Sequence, residues 1–208
     1  MRKSKILIVE DTINTMASLR KLLLRQNYEV DAFPNAKNVL QNVKKNKYDL
    51  AIIDITIEDE PKKGLELAKK IRDLQNQKKI PTIGIFILTV HNTYDNLYDA
   101  INDFQADAFI VKSDDDDFLL NEISKFLKKR EFEILNDPVV KAFKDWVNSI
   151  DPDSFTIQTL DDDNKIISYN AQQILEQMVS QTEFGLNFRN SISAGTQELI
   201  FSSMKQKK

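Results

Sequence analysis

The first 130 residues alternate between short apolar runs and stretches with apolar residues at helical spacing. Residues 5–9 (KILIV) carry four apolar residues in succession, the pattern of a parallel strand covered on both faces. Residues 14–26 bring Met16, Leu19, Leu22 and Leu23 to one face of a helix that Asn27 ends. Residues 28–33 (YEVDAF) alternate as a strand, and Asn35 is placed to cap a helix carrying Ala36, Val39, Leu40 and Val43. A second buried strand is predicted at 48–53 (YDLAII), followed by a helix over 64–74 with Leu67, Ala68, Ile71 and Leu74 inward. After Pro81 come a strand at 83–88 (IGIFIL) and a helix over about 94–104 with Leu97, Ala100, Ile101 and Phe104 inward. The last strand is 108–111 (AFIV), and a helix opens in the aspartates at 114–117, where carboxylates favour the free N–H groups.

Five strand–helix units of this length predict an α/β fold: a doubly wound, five-stranded parallel sheet with right-handed crossovers, in the flavodoxin-like order 2-1-3-4-5. Apolar spacing from Leu119 through Ile123, Phe126 and Leu127 to Ile134 carries the last helix to about Leu135. Asp137-Pro138 is the first firm break. Beyond it a small α+β module is expected. An amphipathic helix over 139–147 holds the one tryptophan, Trp146, and a hairpin over 155–160 and 165–169 turns at 161–164. Asn170 with Gln173 reads as a capping box for a helix carrying Ile174, Leu175, Met178 and Val179. TEFG at 182–185 and Gly195 read as breaks in the remaining C-terminal stretch. The division is therefore 1–130, a helical extension at 131–137, and a module at 138–208.

Composition narrows the class. Of 208 residues, 41% are hydrophobic and 29% charged, which is ordinary for a water-soluble domain. No apolar run approaches the length of a membrane span, and Ile6 to Val9 is too short for a secretory leader. The absence of cysteine excludes disulfides and thiolate metal sites. A cytoplasmic protein with no membrane contact is expected. Charge is uneven: residues 1–130 hold 22 basic and 20 acidic groups, whereas 131–208 hold 7 and 12. That acidic balance argues against nucleic acid as partner of the C-terminal module.

Candidate chemistry collects at the strand ends. Glu10 and Asp11 follow the first strand and Asp54 the third, neighbours in the expected order, so three carboxylates converge where the order reverses. Like charges this close oppose one another's ionisation unless a cation intervenes. Mg²⁺, a hard ion that uses one or two carboxylates and keeps several waters, fits. Thr89 adds a hydroxyl after the fourth strand, and Lys112 a point charge for a phosphate after the fifth. Singly, Asp11 reads equally as a helix cap, Lys112 as a solvated lysine and Thr89 as a strand end; their convergence favours a shared site.

These residues resemble the receiver domain of two-component response regulators over roughly residues 4–130: Glu10-Asp11 after KILIV, Asp54 after LAII, Thr89 after IFIL and Lys112 after AFIV. The resemblance implies that Asp54 accepts a phosphoryl group from a phosphohistidine on a sensor histidine kinase or phosphotransfer protein. It implies that Asp11, Asp54 and the Thr56 backbone carbonyl hold Mg²⁺, with Glu10 acting through water. Lys112 and Thr89 would hold the phosphoryl oxygens, and Phe109 falls at the family's aromatic switch position. Such a domain catalyses only its own phosphorylation and dephosphorylation and is not otherwise an enzyme.

The chain departs from the family pattern at four points. Ser113 stands where proline usually follows the lysine, and Val90 replaces a small residue after Thr89, which narrows access to the acyl phosphate. Residues 58–63 (EDEPKK) lengthen the loop before Gly64 by about two residues, and Gln105-Ala106-Asp107 lacks the glycine that commonly precedes the last strand. His91, the sole histidine, reads either as an exposed loop residue or as a residue that tunes phosphoaspartate hydrolysis.

The expected function is a phosphorelay response regulator whose receiver switches a protein-interaction module of unidentified partner, with self-association as a second mode. Tyr94, Leu97 and Tyr98 are candidates for the readout face. The rivals are a DNA-binding transcription regulator, an enzymatic output domain, against which stands the lack of histidine and cysteine in the C-terminal part, and a degenerate receiver acting as a constitutive scaffold. The intact Glu10, Asp11, Asp54, Thr89 and Lys112 argue against the scaffold.

Overall fold

The computed structural model describes residues 3–77, 79–90, 104–112, 115–160 and 164–205, with side chains through 195. It contains two compact units, residues 1–128 and 129–208. In the first, β1 (Lys5–Val9), β2 (Glu29–Phe33), β3 (Leu50–Asp54), β4 (Gly84–Thr89) and β5 (Ala108–Val111) form one sheet in the order β2-β1-β3-β4-β5. Every pairing is parallel. Among the described residues its helices are α1 (Ile13–Arg25), α2 (Val39–Lys45), α3 (Lys63–Asn76) and α4 (Asp116–Leu135). The order is the one the sequence predicts.

Strand periodicity explains the unbroken apolar runs. Leu7, Val9, Ala51, Ile53, Ile85 and Ile87 enter one core with Val39, Val43, Leu67, Ala68 and Ile71. Their sequence neighbours Ile6, Ile8, Leu50, Ile52, Phe86 and Leu88 enter a second core with Leu19, Leu23, Leu119 and Ile123. Successive side chains point to opposite faces, so a strand covered on both sides is apolar at every position. Each fully buried aliphatic side chain contributes about 1.5–3 kcal/mol.

Two details depart from the simple reading of the pattern. Asn35 does not cap a helix: its Oδ1 accepts from the Lys37 N–H at 3.0 Å, closing a local turn, and α2 starts only at Val39. Gln105, in the segment before β5 that lacks a glycine, takes the left-handed backbone (φ 54°). Arg72 holds it there, donating to the Gln105 carbonyl at 2.9 Å, the Ile83 carbonyl at 2.9 Å and Asp107 Oδ2 at 2.5 Å. At the start of β4, a Cβ on Gly84 would lie 2.2 Å from the Phe126 ring, so this glycine lets α4 lie against the strand.

The second unit packs α5 (Pro138–Val147), a hairpin of β6 (Thr156–Leu160) and β7 (Ile166–Asn170), α6 (Ala171–Val179) and α7 (Glu183–Lys205). Its core joins Val140, Phe143 and Val147 to Ala171, Ile174, Leu175 and Met178, flanked by Phe184 and Phe188. Asn170 and Gln173 form the predicted capping box. The expected break at TEFG falls where α6 ends and α7 begins, whereas the one at Gly195 is corrected: α7 runs through it. Thr182 caps it, its Oγ1 accepting from Gly185 N–H at 3.1 Å, and a Cβ on Gly185 would meet the Gln177 carbonyl oxygen at 2.1 Å. Gly185 permits close approach to α6 rather than ending a helix. Gly195 has no described atom within 4 Å of a built Cβ, and no contact explains it. Among the described residues no helix is long and apolar enough to cross a membrane.

Asp137 anchors this unit, accepting from the N–H groups of Val139 at 3.0 Å and Val140 at 3.2 Å while pairing with Arg189. The Arg189 guanidinium holds the carboxyl below its ordinary value, against burial, which pushes it up. A depressed folded-state value contributes stability above the unfolded carboxyl's range and loses it as pH falls through the folded value. Asp137→Ala should therefore destabilise the second unit by about 1–2 kcal/mol near neutrality. In parallel urea titrations followed by Trp146 fluorescence, the gap from wild type should close in acid.

Candidate functional site

The carboxyl ends of β1, β3, β4 and β5 bring the expected side chains together. Glu10 continues β1, its N–H donating to the Phe33 carbonyl at 3.1 Å, and its side chain is 2% exposed. Asp54 ends β3 and is 9% exposed; Thr89 ends β4 and is 1% exposed. Lys112 follows β5, its N–H donating to the Thr89 carbonyl at 2.5 Å. One ligand oxygen from each of Glu10, Asp11 and Asp54 lies within 4.8 Å of the others.

Lys112 ties this group. Its Nζ donates to Glu10 Oε2 at 2.5 Å and to Asp54 Oδ2 at 2.6 Å. Burial alone would push the ammonium down, but the bonds to Asp54 and Glu10 outweigh it and hold Lys112 above the ordinary lysine value, fully charged at working pH. Glu10 Oε1 also accepts from the Thr12 N–H at 3.1 Å. Among the described contacts Lys112 does not pair with Asp11, whose Oδ2 accepts from the Glu58 N–H at 2.7 Å. Asp11 is not the side-chain cap of α1, which Thr12 precedes without a capping bond.

Thr56 is exposed beside Asp54, and its N–H lies 3.5 Å from Asp54 Oδ1. Phe109 pairs in register with Ile87, one step before Thr89 and Val111, so it shares a sheet face with Thr89 and packs partly buried against the core there. Val90 is 62% exposed. His91, Tyr94, Leu97, Tyr98, Ser113 and Asp114, with the Lys112–Ser113 bond and all but Phe104 of the helix predicted over about 94–104, lie outside the described residues.

Three carboxylates against one lysine leave a net charge of about −2 in a site where two of the acids are nearly inaccessible to water. An all-oxygen donor set of that charge fits a hard divalent cation.

Sequence reasoning missed two contributors. Gly64 opens α3 against Asp54: its N–H donates to the Ile55 carbonyl at 3.0 Å, and a built Cβ would lie 1.7 Å from the Asp54 carbonyl oxygen. The chain has only four glycines, and Gly64 is one of the three that mark a close approach. The Glu58 N–H carried no such signal, because a backbone donor has no residue signature.

Comparison with known proteins agrees with this geometry. Residues 6–124 match the response regulator receiver domain, and the chain belongs to that family. It is 36% identical over 135 residues to the response regulator ArlR of Staphylococcus saprophyticus, covering 64% of this chain and 57% of that protein. It is 33% identical over 108 residues to the two-component response regulator PhoP of Pseudomonas aeruginosa, covering 52% and 44%. The chain thus spans about half the length of the curated relatives it matches. A CheY-like receiver from Methanospirillum hungatei superposes with a TM-score of 0.55 at 26% identity, over 64% of this chain and 99% of that one. The response regulator TrrA of Thermotoga maritima, solved with Mg²⁺ and BeF, gives 0.50 at 30% identity over 59% and 98%.

Gly64→Ala should force α3 away from the end of β3 and destabilise the first unit by about 1–3 kcal/mol, the usual consequence of overpacking. Thermal unfolding followed by circular dichroism checks it, with a lowered midpoint for the first transition as the expected result.

Proposed function

We propose that this chain is a phosphorelay response regulator in which Asp54 is the phosphoacceptor. The observation that carries the reading is Lys112 bonded at once to Asp54 and Glu10 within a cluster of three carboxylates. Asp54 and Asp11, with the Thr56 carbonyl, would hold Mg²⁺, and Glu10 would act through water; TrrA, crystallised with Mg²⁺ and BeF, supports that choice. Bound there, the cation supplies charge neutralisation for the transferring group.

The rest of the chemistry belongs to side chains. An Asp54 oxygen attacks the phosphorus of a phosphohistidine on a sensor kinase or phosphotransfer protein. The P–N bond breaks as the P–O bond of the acyl phosphate forms, and the imidazole keeps the electron pair. Lys112, fully charged, moves from carboxylate to phosphoryl oxygen, and Thr89 donates its hydroxyl to another. Drawing Thr89 inward makes room for Phe109 on the same sheet face. The switch shifts populations only as far as phosphate favours one state. Self-phosphorylation and its reversal are the catalysis in this reading, and a cytoplasmic histidine kinase is the donor.

The output is binding of a protein by residues 138–208, supported by the acidic balance of the chain past residue 130. A second reading, transcription control, is favoured by one observation: the chain is 30% identical over 111 residues to the transcriptional regulatory protein RprY of Bacteroides fragilis. Gel shifts with and without phosphodonor separate the two.

With acetyl phosphate and Mg²⁺ the protein should label at one site, and Asp54→Asn should abolish labelling on acid-quenched gels. Labelling that persists in Asp54→Asn, or in chelator, overturns the assignment. Lys112→Ala should slow labelling by on the order of 10²-fold, the usual loss for a removed charge-stabilising donor, and should leave Trp146 fluorescence unresponsive to phosphate.

A further inference from the structure

Between Asp54 and α3 the chain makes a turn that the phosphoryl chemistry does not use. Ile57 is fully buried and anchors it. Glu58 and Asp59 both adopt left-handed backbone, with φ of 57° and 58°, and the Glu60 N–H closes onto the Ile57 carbonyl at 3.1 Å. Two successive positive φ angles define the mirror-image turn that Asn-Gly usually supplies. Here an acidic pair occupies it, and something must hold it. Lys63 does so: its Nζ lies 2.6 Å from Glu58 Oε2 and 2.6 Å from Glu60 Oε1, clamping both sides of the turn.

The turn directs one backbone donor inward, the Glu58 N–H, 2.7 Å from Asp11 Oδ2 across 47 residues of sequence. Glu10 and Asp54 are fixed by burial and by Lys112, whereas Asp11 is half-buried and has no such bond among the described contacts. Its other hydrogen bond, from the Thr12 hydroxyl to Oδ1, is long at 3.5 Å.

We propose that the Glu58 main-chain N–H, presented by the Lys63-clamped turn at residues 57–60, is a positioning donor that sets the Asp11 carboxylate for a divalent cation. The inference rests on the reading of Glu10, Asp11 and Asp54 as a cation site. A carboxylate oxygen carries two lone pairs, so a donor on Oδ2 leaves capacity for a metal while fixing the rotation of the group. Partners of this kind change metal affinity by about 10–100-fold when lost. The turn falls in the part of the loop that is longer than the family's, so this support belongs to the chain and not to the shared pattern.

Titration calorimetry of the full chain with Mg²⁺ alone tests it, on wild type, Lys63→Met, Lys63→Arg and the double variant Glu58→Gly/Asp59→Gly. Removing a cation near an acidic site strengthens Mg²⁺ binding if only charge matters, whereas loosening the turn weakens it. Positioning therefore predicts a Kd about 10-fold weaker in Lys63→Met, recovery in Lys63→Arg, and near-wild-type affinity in the glycine pair, which keeps the N–H in a turn glycine accepts. Because Lys63→Met can also perturb folding, the wild-type Glu58 amide gives an independent reading: its ¹⁵N–¹H signal should shift as Mg²⁺ is added. Lys63→Met binding Mg²⁺ as tightly as wild type or tighter, or a Glu58 signal that ignores Mg²⁺ while the protein binds it, overturns the inference alone. Wild type that binds no Mg²⁺ overturns the cation reading and the inference with it.

Discussion

Three carboxylates are held within 4.8 Å of one another at the end of a parallel sheet, and most of the site depends on how their repulsion is contained. In water such a cluster would spread; here Glu10 and Asp54 sit on strand ends whose backbones are fixed by ladder hydrogen bonds and two apolar cores. One lysine neutralises part of the charge and is itself held above its ordinary value by the acids it meets. The arrangement stores a preference for positive charge, and it is preorganised because the sheet, not the site, bears the strain.

That sheet depends on close approaches that side chains would forbid. Gly64 lets α3 begin against the Asp54 carbonyl, and Gly84 lets Phe126 lie over the start of β4. Elsewhere the chain does without glycine and fixes left-handed residues through partners. Gln105 is held by Arg72, and the Glu58-Asp59 turn by Lys63. A backbone conformation that intrinsic propensity disfavours persists when surrounding contacts over-determine it. Both devices lie in loops where the chain departs from its family.

The second unit uses the same economy of contacts with different chemistry. Asp137 serves at once as helix cap and as partner of Arg189, joining the start of α5 to α7 through one side chain. Its largely aliphatic core is flanked by rings, with Phe143, Trp146, Phe155 and Phe188 meeting edge-on or tilted at centroid distances of 5.1–5.3 Å. A module this small gains burial per residue from such rings.

The sequence determined the element order, the strand faces and the identity of the converging groups. Period-2 and period-3.6 patterning records which side chains must leave water, and in a doubly wound sheet the strand order then fixes which ends meet. Asp54, Glu10, Asp11, Thr89 and Lys112 were legible for that reason, as were the capping box at Asn170 and the helix reaching Leu135. Only the tertiary structure decided that Lys112 bonds Glu10 as well as Asp54, that Asn35 closes a turn instead of capping α2, and that Gly185 admits α6 instead of breaking α7. These outcomes turn on contacts between residues far apart in the chain, or on backbone atoms common to every residue. Local pattern carries no record of either.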